Sequence, residues 1–124
     1  AVDARGISPG GKGVPEGEWD LVVLDVPCSN SGVLGRRPEA RWRFSREELG
    51  RCVAEQRSII KWALPGHVGP RTRVLWTTCS LEPEENERGA ARAARRAGLE
   101  VLQQRVFEPD AERSGGYAAL LGRA

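Results

Sequence analysis

The sequence predicts an α/β domain, on three observations. Two short apolar runs, WDLVVLDV (19–26) and RVLWT (73–77), have the composition of strands. Each is followed by a stretch with helical periodicity and recognisable ends. Two further strand candidates close the chain. This alternation of strand, helix, strand, helix and two strands is that of an α/β fold. At 124 residues, with 40% apolar and 29% charged residues, the chain suits one globular domain.

The first 18 residues hold five glycines and two prolines and read as loop. In the first strand, four consecutive apolar residues closed by Asp25 suggest burial on both faces. Residues 27–44, PCSNSGVLGRRPEARWRF, are turn-rich and basic. Ser45 and Glu48 form a Ser-x-x-Glu capping pattern that opens a helix. Leu49, Val53, Ile59, Ile60 and Ala63 continue it until Pro65-Gly66. After the second strand, Pro83 with Glu84 and Glu85 suits a helix first turn, where acids complement the dipole. That helix should run to Ala97 and stop at Gly98. Residues 99–107 and 116–121 are the closing strand candidates, around a polar loop.

Composition excludes several functional classes. No apolar run approaches the roughly 20 residues of a membrane helix, and no segment reads as a secretory signal. Three widely spaced cysteines make neither a disulfide scaffold nor a zinc ribbon, so a reducing cytoplasm is the expected compartment and no metal is expected. Nineteen basic against 17 acidic residues leave only +2, which names no partner. The bases are almost all arginine, the better fork for phosphate, although a GC-rich genome yields the same bias. The chain has no methionine and opens at Ala1, as a processed start or an excised piece would.

Parallel strands joined by a helical crossover carry their ligand site at the carboxyl ends. Two unusual polar clusters, Asp25 to Gly32 and Thr78 to Ser80, follow such ends. Cys28 and Cys79 each read either as small buried hydrophobes or as reactive thiols near a helix start. Cys52 lies within a helix and reads as core. The single histidine, His67, has nothing around it to make it a catalytic base. Arg36, Arg37, Arg41 and Arg43, interleaved with Trp42 and Phe44, suit phosphate contact and base stacking, or form a solvated loop. Arg88, Arg92, Arg95 and Arg96 read as a solvated helix face, with RNA contact as the second reading.

DVPCSNSGVLGRRPEARWRF, followed about fifty residues later by TTCSLEPEENE, resembles the signature motifs of the RNA cytosine-5 methyltransferases. This family includes bacterial 16S rRNA enzymes of the Sun/Fmu type and their eukaryotic Sun-domain relatives. The resemblance extends over nearly the whole chain, from Val2-Asp3-Ala4-Arg5 to GGYAALL. It implies the C-terminal half of a Rossmann-like, S-adenosylmethionine-dependent domain of three α-β-α layers, with RNA, and rRNA in particular, as partner. By the same resemblance Cys79 is the nucleophile toward carbon 6 of cytosine, and Cys28 helps release the product. Asp25 contacts the base and the methionine end of the cofactor, and Asp3 contacts its adenine. Arg36, Arg37 and Arg41 would hold the flipped-out strand.

A rival assignment gives the attack to Cys28, because DNA cytosine-5 methyltransferases use a cysteine after proline; TCS and PEENE favour Cys79. The family's glycine-rich cofactor loop and ribose-binding acid have no match here, and Gly6, Gly10, Gly11 and Gly13 do not replace them. An isolated half-sheet is therefore expected to be inactive and to self-associate through the LVVLDV edge. The alternative reading is a non-catalytic, RNA-binding remnant of the same fold. A cysteine hydrolase is a third reading that lacks a placed histidine.

Overall fold

The computed structural model describes residues 17–35 and 39–124, apart from the side chains at 40 and 43. β1 (Leu21–Asp25) leads through a 3-10 turn at Ser31–Val33 to a short α1 (Glu39–Arg43) and a long α2 (Arg46–Ala63). β2 (Arg73–Thr78), α3 (Glu87–Ala97), β3 (Glu100–Phe107) and β4 (Gly116–Gly122) follow. The four strands form one sheet in the order β1-β2-β4-β3. β1 and β2 are parallel, and β4 runs antiparallel to both β2 and β3.

Local chemistry accounts for the helix ends. The Ser45 side chain caps α2 by accepting from the Glu48 amide at 3.0 Å. Gly98 closes α3 in the left-handed conformation (φ 66°), and its amide reaches the carbonyls of Ala94 and Arg95.

Register places Val22 with Val74 and Leu121, and Leu24 with Trp76 and Ala119, on one face of the sheet. Ile59, Ile60 and Ala63 of α2 and Ala90, Ala93 and Ala94 of α3 pack on that face and complete the core. The alanines let α3 lie close to the sheet. Gly89 goes further: a Cβ there would stand 2.6 Å from the Trp76 ring.

Two expectations need correction. β1 is buried on one face only: Leu24 is 5% exposed, whereas Leu21 and Val23 are 53% and 54% exposed. Both described long helices lie on the other side, and the second helical layer of a three-layer domain is not among the described residues. α3 begins at Glu87, not Pro83. Residues 83–86 form a wide turn, with the Arg88 amide donating to the Pro83 carbonyl at 3.0 Å. The turn frees Glu85 and Asn86 to enter the core, where both are buried.

Candidate active site

The parallel pairing of β1 and β2 brings Asp25 opposite Thr77 at the carboxyl ends of both strands. Thr77 Oγ1 donates to Asp25 Oδ1 at 3.0 Å, which orients an otherwise exposed carboxylate. One step further along each chain, the Cys79 amide donates to Cys28 Sγ at 3.3 Å. Two cysteines 51 residues apart thus meet in the loops that follow these strand ends. Cys79 is exposed and Cys28 half-buried. Asn30, the only described non-glycine residue with positive φ (61°), turns the loop back so that its Oδ1 accepts from Cys28 Sγ at 3.8 Å.

The surroundings of Cys28 act strongly on its thiol. The Cys28 thiol is pushed far above its ordinary range, first by a hydrogen bond with the Cys79 side chain and then by burial. Hydrogen bonds with the backbone of Asn30 and Cys79 oppose the rise, and the charge of Glu85 adds to it.

Beneath the cysteines lies a polar network that sequence reading missed. Glu85 is completely buried and accepts from the Ser29 amide (2.8 Å), the Ser29 hydroxyl (2.7 Å) and Gln56 Nε2 (3.3 Å). Gln56 Nε2 also donates to the Pro27 carbonyl at 2.8 Å. One carboxylate and one amide thus tie the β1 loop to α2 and to the loop after β2. The hydroxyls of Ser29 and Ser31 lie 3.5 and 3.3 Å from that of Ser80, and Asn86 Nδ2 donates to the Ser80 carbonyl at 2.9 Å. A signal for Gln56 was present: it is the one polar residue on the buried stripe of Leu49, Cys52, Ile59, Ile60 and Ala63.

Backbone crossings finish the frame. The Gly32 amide donates to the Cys79 carbonyl at 2.9 Å, and the Gly115 amide donates to the Gly32 carbonyl at 2.7 Å. A Cβ on Gly32 would stand 2.5 Å from the Gly115 oxygen and 2.8 Å from the Cys79 oxygen, so only glycine fits there.

The remaining candidates divide. Arg41 is exposed on α1, beside Trp42, which is 90% exposed. Asp3, Arg36 and Arg37 lie outside the described residues. Cys52 is 1% exposed within α2, as its place in the helix suggested, with its thiol pushed up to about 11 by burial and by Glu85 and Glu48. His67 is buried at the opposite end of the sheet, where its carbonyl accepts from the Trp19 amide. That end also has a hollow of about 330 Å³ lined by Glu18, Trp19, Asp20, Pro70, Arg71 and Thr72, remote from the cysteines. Among the described residues no group of three or more His, Cys, Asp or Glu could hold a metal ion, and no helix is long and apolar enough to cross a membrane.

A family model described as 16S rRNA methyltransferase RsmB/F matches residues 2–120. The chain is 36% identical over 69 residues to the ribosomal RNA small subunit methyltransferase B of Erwinia tasmaniensis, covering 56% of this chain and 16% of that protein. It is 33% identical over 100 residues to the protein of the same name from Shewanella oneidensis, covering 75% and 22%. The chain thus spans about a fifth of the length of these relatives. Among solved structures, a methyltransferase homolog protein from Pyrococcus horikoshii superposes with a TM-score of 0.68 at 25% identity, covering 86% of this chain and 40% of that one. NSun6 from the same organism, solved with SFG, superposes at 0.63 and 23% identity over 98% and 33%, a likeness of fold. The sheet is that of a Rossmann-like methyltransferase.

Proposed function

The chain belongs to the 16S rRNA methyltransferase RsmB/F family, and from that premise we propose that it carries the catalytic cysteine pair of an S-adenosylmethionine-dependent methyltransferase acting on carbon 5 of cytosine in ribosomal RNA. The observation that carries this reading is the meeting of Cys79 and Cys28 in the loops after the β1 and β2 strand ends, with the Cys79 amide on Cys28 Sγ. A ribosomal RNA substrate places the reaction in the cytoplasm.

In this reading the exposed Cys79 sulfur attacks. It bonds to carbon 6 of the cytosine, and the electron pair of the 5,6 double bond moves onto carbon 5. S-adenosylmethionine, when bound, would supply the methyl group that carbon 5 takes, its sulfur–methyl bond breaking to leave S-adenosylhomocysteine. Oδ2 of Asp25, which has no hydrogen-bond partner among the described residues, suits the cationic methionine end of that molecule and the polar edge of the base. Cys79 attacks as the thiolate and Cys28 acts as the thiolate, each having given its thiol proton to solvent; once carbon 5 is methylated, its proton passes to the Cys28 sulfur. The freed pair re-forms the double bond, and the carbon–sulfur bond breaks to return Cys79.

The electrostatics support this order of events. The largest cause of the raised Cys28 pKa is its hydrogen bond with the Cys79 side chain. When Cys79 becomes a thioether that cause weakens, which eases loss of the Cys28 proton.

The test is covalent trapping on a denaturing gel. In the full-length enzyme, Cys28→Ala is expected to accumulate an RNA–protein adduct in the presence of S-adenosylmethionine, and Cys79→Ala to form none. The reverse pattern would move the nucleophile to Cys28 and overturn the assignment.

A further inference from the structure

On α3, burial of Ala90, Ala93 and Ala94 against the sheet leaves Arg88, Arg92, Arg95 and Arg96 on the remaining surface. Arg88, Arg92 and Arg95 follow one another at helical spacing, so their side chains share a face. Contrary to the expected solvated face, Arg92 is half-buried. Its Nη2 donates to the Glu84 carbonyl at 2.7 Å, and its Nε is buried with no hydrogen-bond partner among the described residues. The guanidinium is crowded by Arg57 of α2 and by Arg95 and Arg88, which together with burial lower its pKa.

Counter-charge is scarce here. Glu84 lies 3.9 Å from Arg88, and no ion pair or side-chain hydrogen bond forms at Arg57 or Arg95 among the described residues. The same helix treats another arginine differently: Arg51 is held between Glu48 at 2.6 Å and Glu55 at 3.3 Å. Four guanidiniums gathered with one acid repel one another, a cost that an anion would offset. Position strengthens the case. Glu84 precedes Glu85, and Arg57 follows Gln56, so the patch starts one residue from the network that holds the cysteine loops. A strand leaving the site over α2 and α3 would cross it.

We infer that Arg57, Arg88, Arg92 and Arg95 form a binding surface for the phosphate backbone of RNA, on the outer face of the α2–α3 pair beside the catalytic strand ends. The inference rests on the RNA reading above. Guanidinium forks suit phosphate oxygens, and such contacts position a strand without reading its sequence.

The test is filter binding of small-subunit ribosomal RNA transcript across a potassium chloride series. The wild-type chain is compared with Arg57→Gln/Arg95→Gln. Arg71→Gln/Arg123→Gln, at the opposite end of the sheet, serves as a control with the same loss of charge. All four residues are exposed, so the substitutions leave the core untouched. The patch variant is expected to bind more weakly, with the slope of log affinity against log salt reduced by about 1.5, two phosphate contacts' worth. The control should keep the wild-type slope. Wild-type affinity and slope in the patch variant, or an equal loss in the control, would overturn the inference. Failure of the RNA reading itself looks different: the wild-type chain would bind no RNA at any salt.

Discussion

Glu85 shows how one buried charge can hold two loops. It is fully removed from solvent, yet three donors reach its oxygens. Glu85→Ala would leave the Ser29 amide, the Ser29 hydroxyl and one Gln56 contact unsatisfied, and is expected to cost about 3 kcal/mol in urea unfolding. Glu85→Gln, which keeps the shape and an acceptor, should cost less; equal costs would argue against hydrogen bonding as the cause. Cys52 adds a pH dependence. Its folded pKa, about 11, lies above the ordinary 9.0, so the unfolded chain loses this proton first. The stability from Cys52 is complete below pH 9 and is lost as pH rises toward 11. Cys52→Ala should therefore flatten part of the decline in unfolding free energy across that window, and an unchanged decline would exclude Cys52 as a source. Cys28, Cys79 and Asp25 were legible as candidates because polar residues at strand ends stand out. Glu85 was not, because an acid after proline reads equally well as a partner of the helix dipole.

At the scale of elements, the site is made where three loops cross. The β1 loop, the loop after β2 and the β3–β4 connection meet at Gly32, whose carbonyl and amide engage Gly115 and Cys79. Gly32→Ala drives a methyl group against two backbone oxygens and should cost about 1–3 kcal/mol. Because one of those oxygens belongs to Cys79, adding Gly32→Ala to Cys28→Ala should lower adduct yield well below that of Cys28→Ala alone, in protein that still melts cooperatively. A variant with normal yield would show the crossing to be mere packing. The strands and the two long helices could be read from composition and caps. The late start of α3 could not, since it depends on side chains drawn into a network with residues some 30 to 56 positions away.

For the whole molecule, the sheet is covered on one face and ends at β1, whose outer edge has no strand partner among the described residues. Leu21 and Val23 expose apolar surface on the same strand. An unpaired apolar edge templates further pairing, so the isolated chain is expected to self-associate as its concentration rises. Val23→Lys should suppress this in sedimentation velocity. A wild-type chain that stays monomeric at high concentration would refute the expectation.

The sequence by itself determined the α/β alternation, the Ser45 cap of α2 and the Gly98 stop of α3, the family motifs and the candidate residues Cys28, Cys79 and Asp25. Each of these is written in local spacing and residue type. Tertiary structure alone decided that Cys28 and Cys79 touch and that Glu85 and Gln56 brace their loops. It also decided that Arg92 sits among like charges and not in solvent. The physical reason is that burial, hydrogen bonding and Coulomb interaction depend on distance in space. Residues 51 apart in the chain acquire such a distance only when β1 and β2 pair.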